Sequence, residues 1–264
     1  MKFSALSSSV TAFAIAAGLF AGVKPVHAQT LNATYYTISE SDKDANHLAG
    51  GVYNNEVQNL LGTDGLPILN TAAYGCTSNC YSSAGAPTDV LSDGEITYWS
   101  PSLNNGGAGG VSDVVQTGTG TVTLPYANNS FFPPNGTGGG DYSGFQAAEF
   151  YGTLFAPTSE VLSFNIASDD MAFVYIDGTI ACDDGGVHGN SSVTCYTPTV
   201  AAGNNSIEIF FVDINNSASA LDFSINTQGV TTTGGSVTPE PSSLILLGTG
   251  LIGAAGAFRR RFAR

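Results

Sequence analysis

The 264-residue chain predicts an all-β protein, an antiparallel β-sandwich, on three observations. Short runs alternate between apolar and polar faces. Leu162, Phe164 and Ile166 point one way and Ser163, Asn165 and Ala167 the other, and Ile207/Ile209/Phe211 and Leu221/Phe223/Ile225 repeat the pattern. A period of two is the mark of a half-buried strand. Turn signals separate these runs: Asp177-Gly178 offers the two positive-φ positions of a type I′ turn between the apolar run 171–176 and a returning strand from Thr179 to Cys182. Helical periodicity is nearly absent between residues 29 and 226. Short strands at turn spacing, without helices to cover them, must bury their faces against one another.

Residues 1–28 read as a secretory signal. Lys2 is the charged start, residues 10–22 the apolar stretch, and Val26-His27-Ala28 places small residues at −3 and −1, so cleavage is expected before Gln29. The apolar stretch is shorter than the ~20 residues a permanent span needs. Residues 31–38 form a strand, and residues 54–61 (NNEVQNLL) predict a two-turn helix capped by Gly62. Residues 74–87 are loop. Residues 96–99 and 119–124 read as short strands on either side of a Gly/Asn-rich surface loop, 104–110. Residues 129–140 (NSFFPPNGTGGG) form another loop, with Phe131-Phe132 as a hydrophobic plug at the sandwich edge. Residues 150–155 are a strand, 157–160 a turn, and 213–219 (DINNSAS) join the last two strands. Residues 227–237 read as a polar linker. The organisation is therefore 1–28 signal peptide, 29–226 β-sandwich domain, 227–238 linker and 239–264 a hydrophobic tail.

The charge is unevenly placed. Of the seven Lys and Arg, only Lys43 lies between residues 29 and 226, against 20 of the 21 Asp and Glu, which leaves that stretch at net −19. Such a surface repels nucleic acid and anionic membrane and attracts cations, Ca²⁺ among them; solubility alone is the plainer reading. With 42% hydrophobic residues the chain has the material for one sizeable core.

Four cysteines accompany the signal peptide, which places them in an oxidising compartment. The expected pairing is sequential, Cys76–Cys80 and Cys182–Cys195, the second tying the strand after the Asp-Gly turn to the next one. A four-thiolate zinc site is the competing reading, disfavoured because the two spacings do not repeat. Serine hydrolase, zinc protease and nucleotide-binding motifs are missing, so the domain reads as non-catalytic. Asp169-Asp170 stands apart: two adjacent carboxylates at the tip between two strands repel each other, and a divalent cation is the usual remedy.

An apolar strand, Ser168-Asp169-Asp170, an aromatic-rich strand and Ile176-Asp177-Gly178 together resemble the PA14 β-domain and its relative, the fibro-slime domain. The run from Asp184 to His188 is similar to the fibro-slime version, and residues 31–36, 93–100 and 206–226 extend the likeness. The resemblance implies a PA14-like sandwich. It also implies that Asp169 and Asp170 are joined by a cis peptide and hold Ca²⁺, which in turn coordinates sugar hydroxyls. A further ligand is expected from the later loop, with Asp213 closest by position and Asn215 or Asn216 as alternates. His188 is a loop hydrogen-bonder or a ligand contact.

The tail runs Pro239-Glu240-Pro241, an apolar stretch at 244–258, then Arg259-Arg260-Arg261. An apolar segment before a basic cluster is a stop-transfer pattern. About 15 residues, near 22 Å as a helix, make a thin span suited to transient inner-membrane anchoring. The order and spacing resemble the PEP-CTERM sorting signal of Gram-negative bacteria, which implies processing by an exosortase near Pro239-Glu240-Pro241 and delivery to the cell surface or an extracellular matrix. Two functional readings stand. One is a Ca²⁺-dependent module that binds carbohydrate such as an exopolysaccharide; the other is a structural matrix or biofilm protein with no specific ligand.

Overall fold

A computed structural model describes residues 29–39, 41, 42, 44, 55–71, 89–128, 145–215 and 218–234. Eleven strands run through them: β1 (Thr30–Ile38), β2 (Val114–Thr123), β3 (Tyr126–Asn128), β4 (Phe145–Ala156), β5 (Glu160–Asp169), β6 (Met171–Ile176), β7 (Thr179–Asp184), β8 (Ser191–Val200), β9 (Gly203–Asp213), β10 (Ala220–Ile225) and β11 (Thr231–Thr233). No helix occurs among the described residues. The strands form two antiparallel sheets, one ordered β2-β1-β4-β9-β6-β7 with β11 added on β4, the other β3-β10-β5-β8. The expected all-β sandwich is the fold.

The period-two runs face each other across the sandwich. Leu162, Phe164 and Ile166 of β5 and Leu221 and Phe223 of β10 pack against Ile207, Ile209 and Phe211 of β9 and Val174 and Ile176 of β6. Phe164 and Phe223 stack with centroids 5.6 Å apart. Each large side chain buried there contributes roughly 1.5–3 kcal/mol.

The large sheet is buried on its other face too. Phe173 and Tyr175 of β6 and Phe210 and Val212 of β9 meet a second cluster with Val57, Leu69, Ile96, Tyr98 and Trp99. This explains why β6 reads as an unbroken apolar run: all six of its residues are buried. The outer cover comes from the irregular segments 55–71 and 89–113, joined by isolated bridges such as Val57↔Leu69 and Ile68↔Glu95. Burial of Phe210 on one face and Phe211 on the other thus defines a three-layer body.

Several expectations need correction. Residues 55–61 are irregular, not helical: Val57 bridges Leu69 and Leu60 bridges Thr179. Two turns are too short to hold a helix without tertiary help, and here the long-range backbone bonds win. Residues 96–99 contribute one bridge at Ile96 and then turn. Residues 119–123 belong to the longer β2, and Leu124 follows it. The stretch read as the start of a polar linker instead supplies β11, whose Thr231, Thr232 and Thr233 pair with Phe155, Leu154 and Thr153. Gly152 admits it, since a Cβ there would lie 2.5 Å from the Thr233 carbonyl oxygen.

The turn after β6 is as expected, with Asp177 and Gly178 at φ 49° and 69°. Cys182 and Cys195 are disulfide-bonded. Their strands, β7 and β8, lie in different sheets, so the bond ties the two layers at one edge. Cys76, Cys80 and Phe131-Phe132 lie outside the described residues. So do the signal peptide, Asn216, Pro239-Glu240-Pro241, the apolar tail with its expected helix, and Arg259-Arg260-Arg261.

Candidate metal and ligand site

Asp169 closes β5 in the small sheet, and Met171 opens β6 in the large one. Asp170 between them is the corner where the chain changes layer. The peptide bond Asp169–Asp170 is cis, as the resemblance implies. Both residues are buried, at 7% and 1% exposure.

The end of β9 lies beside this corner, because Met171 pairs with Val212. The loop that follows therefore begins at the acidic pair. The backbone N–H of Ile214 donates to Asp170 Oδ2 at 2.9 Å, and Asp213 Oδ1 accepts the N–H of Asn215 at 3.3 Å. The expected residues Asp169, Asp170, Asp213 and Asn215 thus converge on one end of the sandwich.

Asp184, last residue of β7, completes the neighbourhood through its pairing with Ala172. Ser168 Oγ donates to Asp184 Oδ2 at 2.8 Å, and His188 Nε2 lies 3.4 Å from Asp184 Oδ1. No Lys or Arg occurs among the described residues, so His188 is their one source of side-chain positive charge. The adjoining Asp183 turns to the outer face, where its Oδ2 accepts the N–H of Val57 at 3.0 Å.

Burial sets the protonation here. It pushes the Asp170 carboxyl up to about 7, with the Asp169 charge adding to it and the Ile214 N–H opposing. Asp183 rises to about 7 by burial despite the Val57 N–H, and Glu149 to about 7 by burial with the Glu208 charge adding. Asp184 holds His188 at about 9, above its ordinary value. Carboxylate oxygens are the donors a hard divalent cation takes, but among the described residues Asp42, Asp89 and Asp113, not this corner, bring three such ligand atoms within 4.8 Å of one another.

These shifts carry a pH dependence. A carboxyl raised on folding stabilises the fold fully below its unfolded value and loses that contribution as pH rises through about 7. A raised histidine acts in the same direction, its contribution complete below about 6.5 and lost through about 9. Chelated protein is therefore expected to melt roughly 5–10 °C higher at pH 5 than at pH 8. Circular dichroism melts in chelator check this, and a melting temperature that climbs with pH would contradict it.

A second group of carboxylates lies at the end of the β1–β2 ladder. Oxygens of Asp42, Asp89 and Asp113 all fall within 4.8 Å of one another. Sequence reasoning misses it. The Asp42-Lys43-Asp44 spacing is its one visible sign, and its other members come from segments far along the chain.

Residues 237–261 match the family described as the PEP-CTERM protein-sorting motif. The chain carries a PEP-CTERM signal. That signal marks an exported protein. No curated protein matches the chain. Among solved structures it is similar to a PA14 sugar-binding domain from an RTX adhesin, at 13% identity and TM-score 0.35, over 78% of this chain and 96% of that one. It is similar also to the PA14 domain of the MpAFP antifreeze protein, at 10% identity and TM-score 0.35, over 82% and 98%. A β-glucosidase from Kluyveromyces marxianus matches at 11% identity and TM-score 0.26, over 34% of this chain, which spans only 11% of that enzyme. Likenesses this distant decide nothing about function.

Proposed function

We propose that this is an exported cell-surface or matrix protein of a Gram-negative bacterium whose sandwich is a non-catalytic, calcium-dependent carbohydrate-binding module. The observation that carries the reading is the corner at Asp169-Asp170. Two adjacent carboxylates, reached by the Asp213–Asn215 loop, support the arrangement that the PA14 resemblance implies. Asp169, Asp170 and Asp213, with Asn215 or Asn216 from the same loop, would hold a calcium ion there, and the ion would bind sugar hydroxyls. The chain's own part is to present oxygen donors at a rim between two sheets. A glycan array run with Ca²⁺ and with chelator tests the reading. Binding should fall at least about tenfold in chelator and in the Asp169→Asn/Asp170→Asn variant. Binding unchanged by chelator would sink it.

The burial of Asp169 and Asp170 favours a second reading, a structural matrix or biofilm protein with no specific ligand. An array blank in both conditions supports that one. In either case the PEP-CTERM signal points to an exosortase, acting near Pro239-Glu240-Pro241. Intact mass of the released protein is expected to begin at Gln29 and to lack Arg259, Arg260 and Arg261. Recovery of the exported form with those arginines attached would rule this processing out.

A further inference from the structure

The loops capping the β1–β2 ladder gather four carboxylates into a small volume. Asp42 and Asp44 follow β1, Asp113 precedes β2, and Asp89 arrives from the outer cover. The ladder fixes the base of the group, with Ile38 opposite Val114 and the Ser39 N–H donating to the Asp113 carbonyl at 3.0 Å. Asp42, Asp44 and Asp89 are 3%, 0% and 0% exposed. Buried charges are ordinarily paired with an opposite charge or bound to a metal.

The surrounding hydrogen bonds hold these carboxylates in place. Asp42 Oδ1 accepts the Asp44 N–H at 2.6 Å, and Asp44 Oδ2 accepts the Asp89 N–H at 2.7 Å. Asn104 is fully engaged. Its Nδ2 donates to Asp89 Oδ1 and to Thr97 Oγ1, and its Oδ1 accepts the N–H groups of Asp113 and Gly106. The second oxygen of Asp89, Oδ2, is buried and meets no hydrogen-bond donor. Burial, then the charges of Asp44 and Asp113, push this carboxyl up to about 7, opposed in part by side-chain hydrogen bonds with Asp42 and Asn104.

We propose that Asp42, Asp89 and Asp113 bind one hard divalent cation, calcium by the chemistry of the donors, with Asp44 and Asn104 positioning them. Calcium takes six to eight oxygens, so three carboxylates leave places for water and backbone carbonyls. The site is distinct from the Asp169-Asp170 corner. Both lie at the same end of the large sheet, since Phe145 pairs with Ile38 and the next residue, Gln146, with Asp213. Three strand spacings separate β1 from β6, roughly 15 Å. The ion's effect is to fasten the outer cover, through Asp89, to the loops of the β1–β2 ladder.

Calcium counted per chain tests this on the exported protein, stripped with chelator and re-equilibrated by dialysis against Ca²⁺. Wild type is expected to hold two ions. Asp42→Asn with Asp113→Asn should hold one, and Asp169→Asn with Asp170→Asn should also hold one. The proposal is overturned if the Asp42/Asp113 variant keeps the wild-type count, or if the Asp169/Asp170 variant keeps none. The second result would leave Lys43 or shared protons to offset the cluster. Should the Asp42/Asp113 variant fail to fold, the count on the other variant decides alone. An Asp169/Asp170 variant that keeps every ion overturns the carbohydrate-site reading instead and leaves this one standing.

Discussion

The melting temperature of chelated protein should rise by roughly 5–10 °C when calcium saturates the Asp169-Asp170 corner, and Asp169→Asn with Asp170→Asn should remove that part of the rise. Binding to the folded state alone adds RT ln(1 + [L]/Kd), about 2.7 kcal/mol at a hundredfold excess over Kd. The corner has what such binding needs: two adjacent carboxylates, the Asp213 carboxylate one strand away, and few competing cations. The substitutions keep the shape. An asparagine amide oxygen at position 170 can still accept the Ile214 N–H, which Asp170 Oδ2 accepts at 2.9 Å, while the like-charge repulsion disappears. The variant should therefore fold and be more stable than wild type in chelator, yet respond less to calcium. Any response that survives belongs to the Asp42, Asp89 and Asp113 cluster. A variant with the full wild-type response would remove the corner as a calcium site.

How much of this was legible depended on where each residue finds its partners. β6 was readable to the residue, because a strand covered on both faces is apolar throughout and Asp177-Gly178 fixes its end. β5, β9 and β10 were readable from alternation, since their inner faces meet one core. β11 was not. Three threonines carry no apolar signal, and their pairing with β4 depends on a glycine about eighty residues earlier, Gly152. The segment around Val57 misled for a related reason, as its local pattern suits a helix while its bonds go to Leu69 and Thr179. The acidic corner was legible because its two residues are adjacent. The three-carboxylate group was hidden, since Asp42, Asp89 and Asp113 meet only after the outer cover folds back over the sheet.

That cover hangs on Trp99, and Trp99→Ala is expected to destabilise the protein by about 3–5 kcal/mol. The side chain is 3% exposed and meets the sheet in two ways. Its ring makes edge contacts with Phe173 and Phe210, at centroid distances of 6.4 and 5.1 Å. Its indole Nε1–H donates to the Phe211 carbonyl at 2.8 Å. Truncation removes the packing, the hydrogen bond and the volume between cover and sheet together. Trp99→Phe separates these: it keeps most of the apolar contact and loses the hydrogen bond, worth about 1 kcal/mol, so its cost should fall well below that of alanine. Urea unfolding followed by circular dichroism measures both, because each variant also lacks the chain's single tryptophan. The same segment carries Thr97, whose N–H donates to the Asp89 carbonyl at 2.8 Å. Loosening it in Trp99→Ala should weaken calcium at the Asp42, Asp89 and Asp113 cluster and spare the Asp169-Asp170 corner. An alanine variant as stable as wild type would mean that the outer cover is not bound to the sheet through this residue.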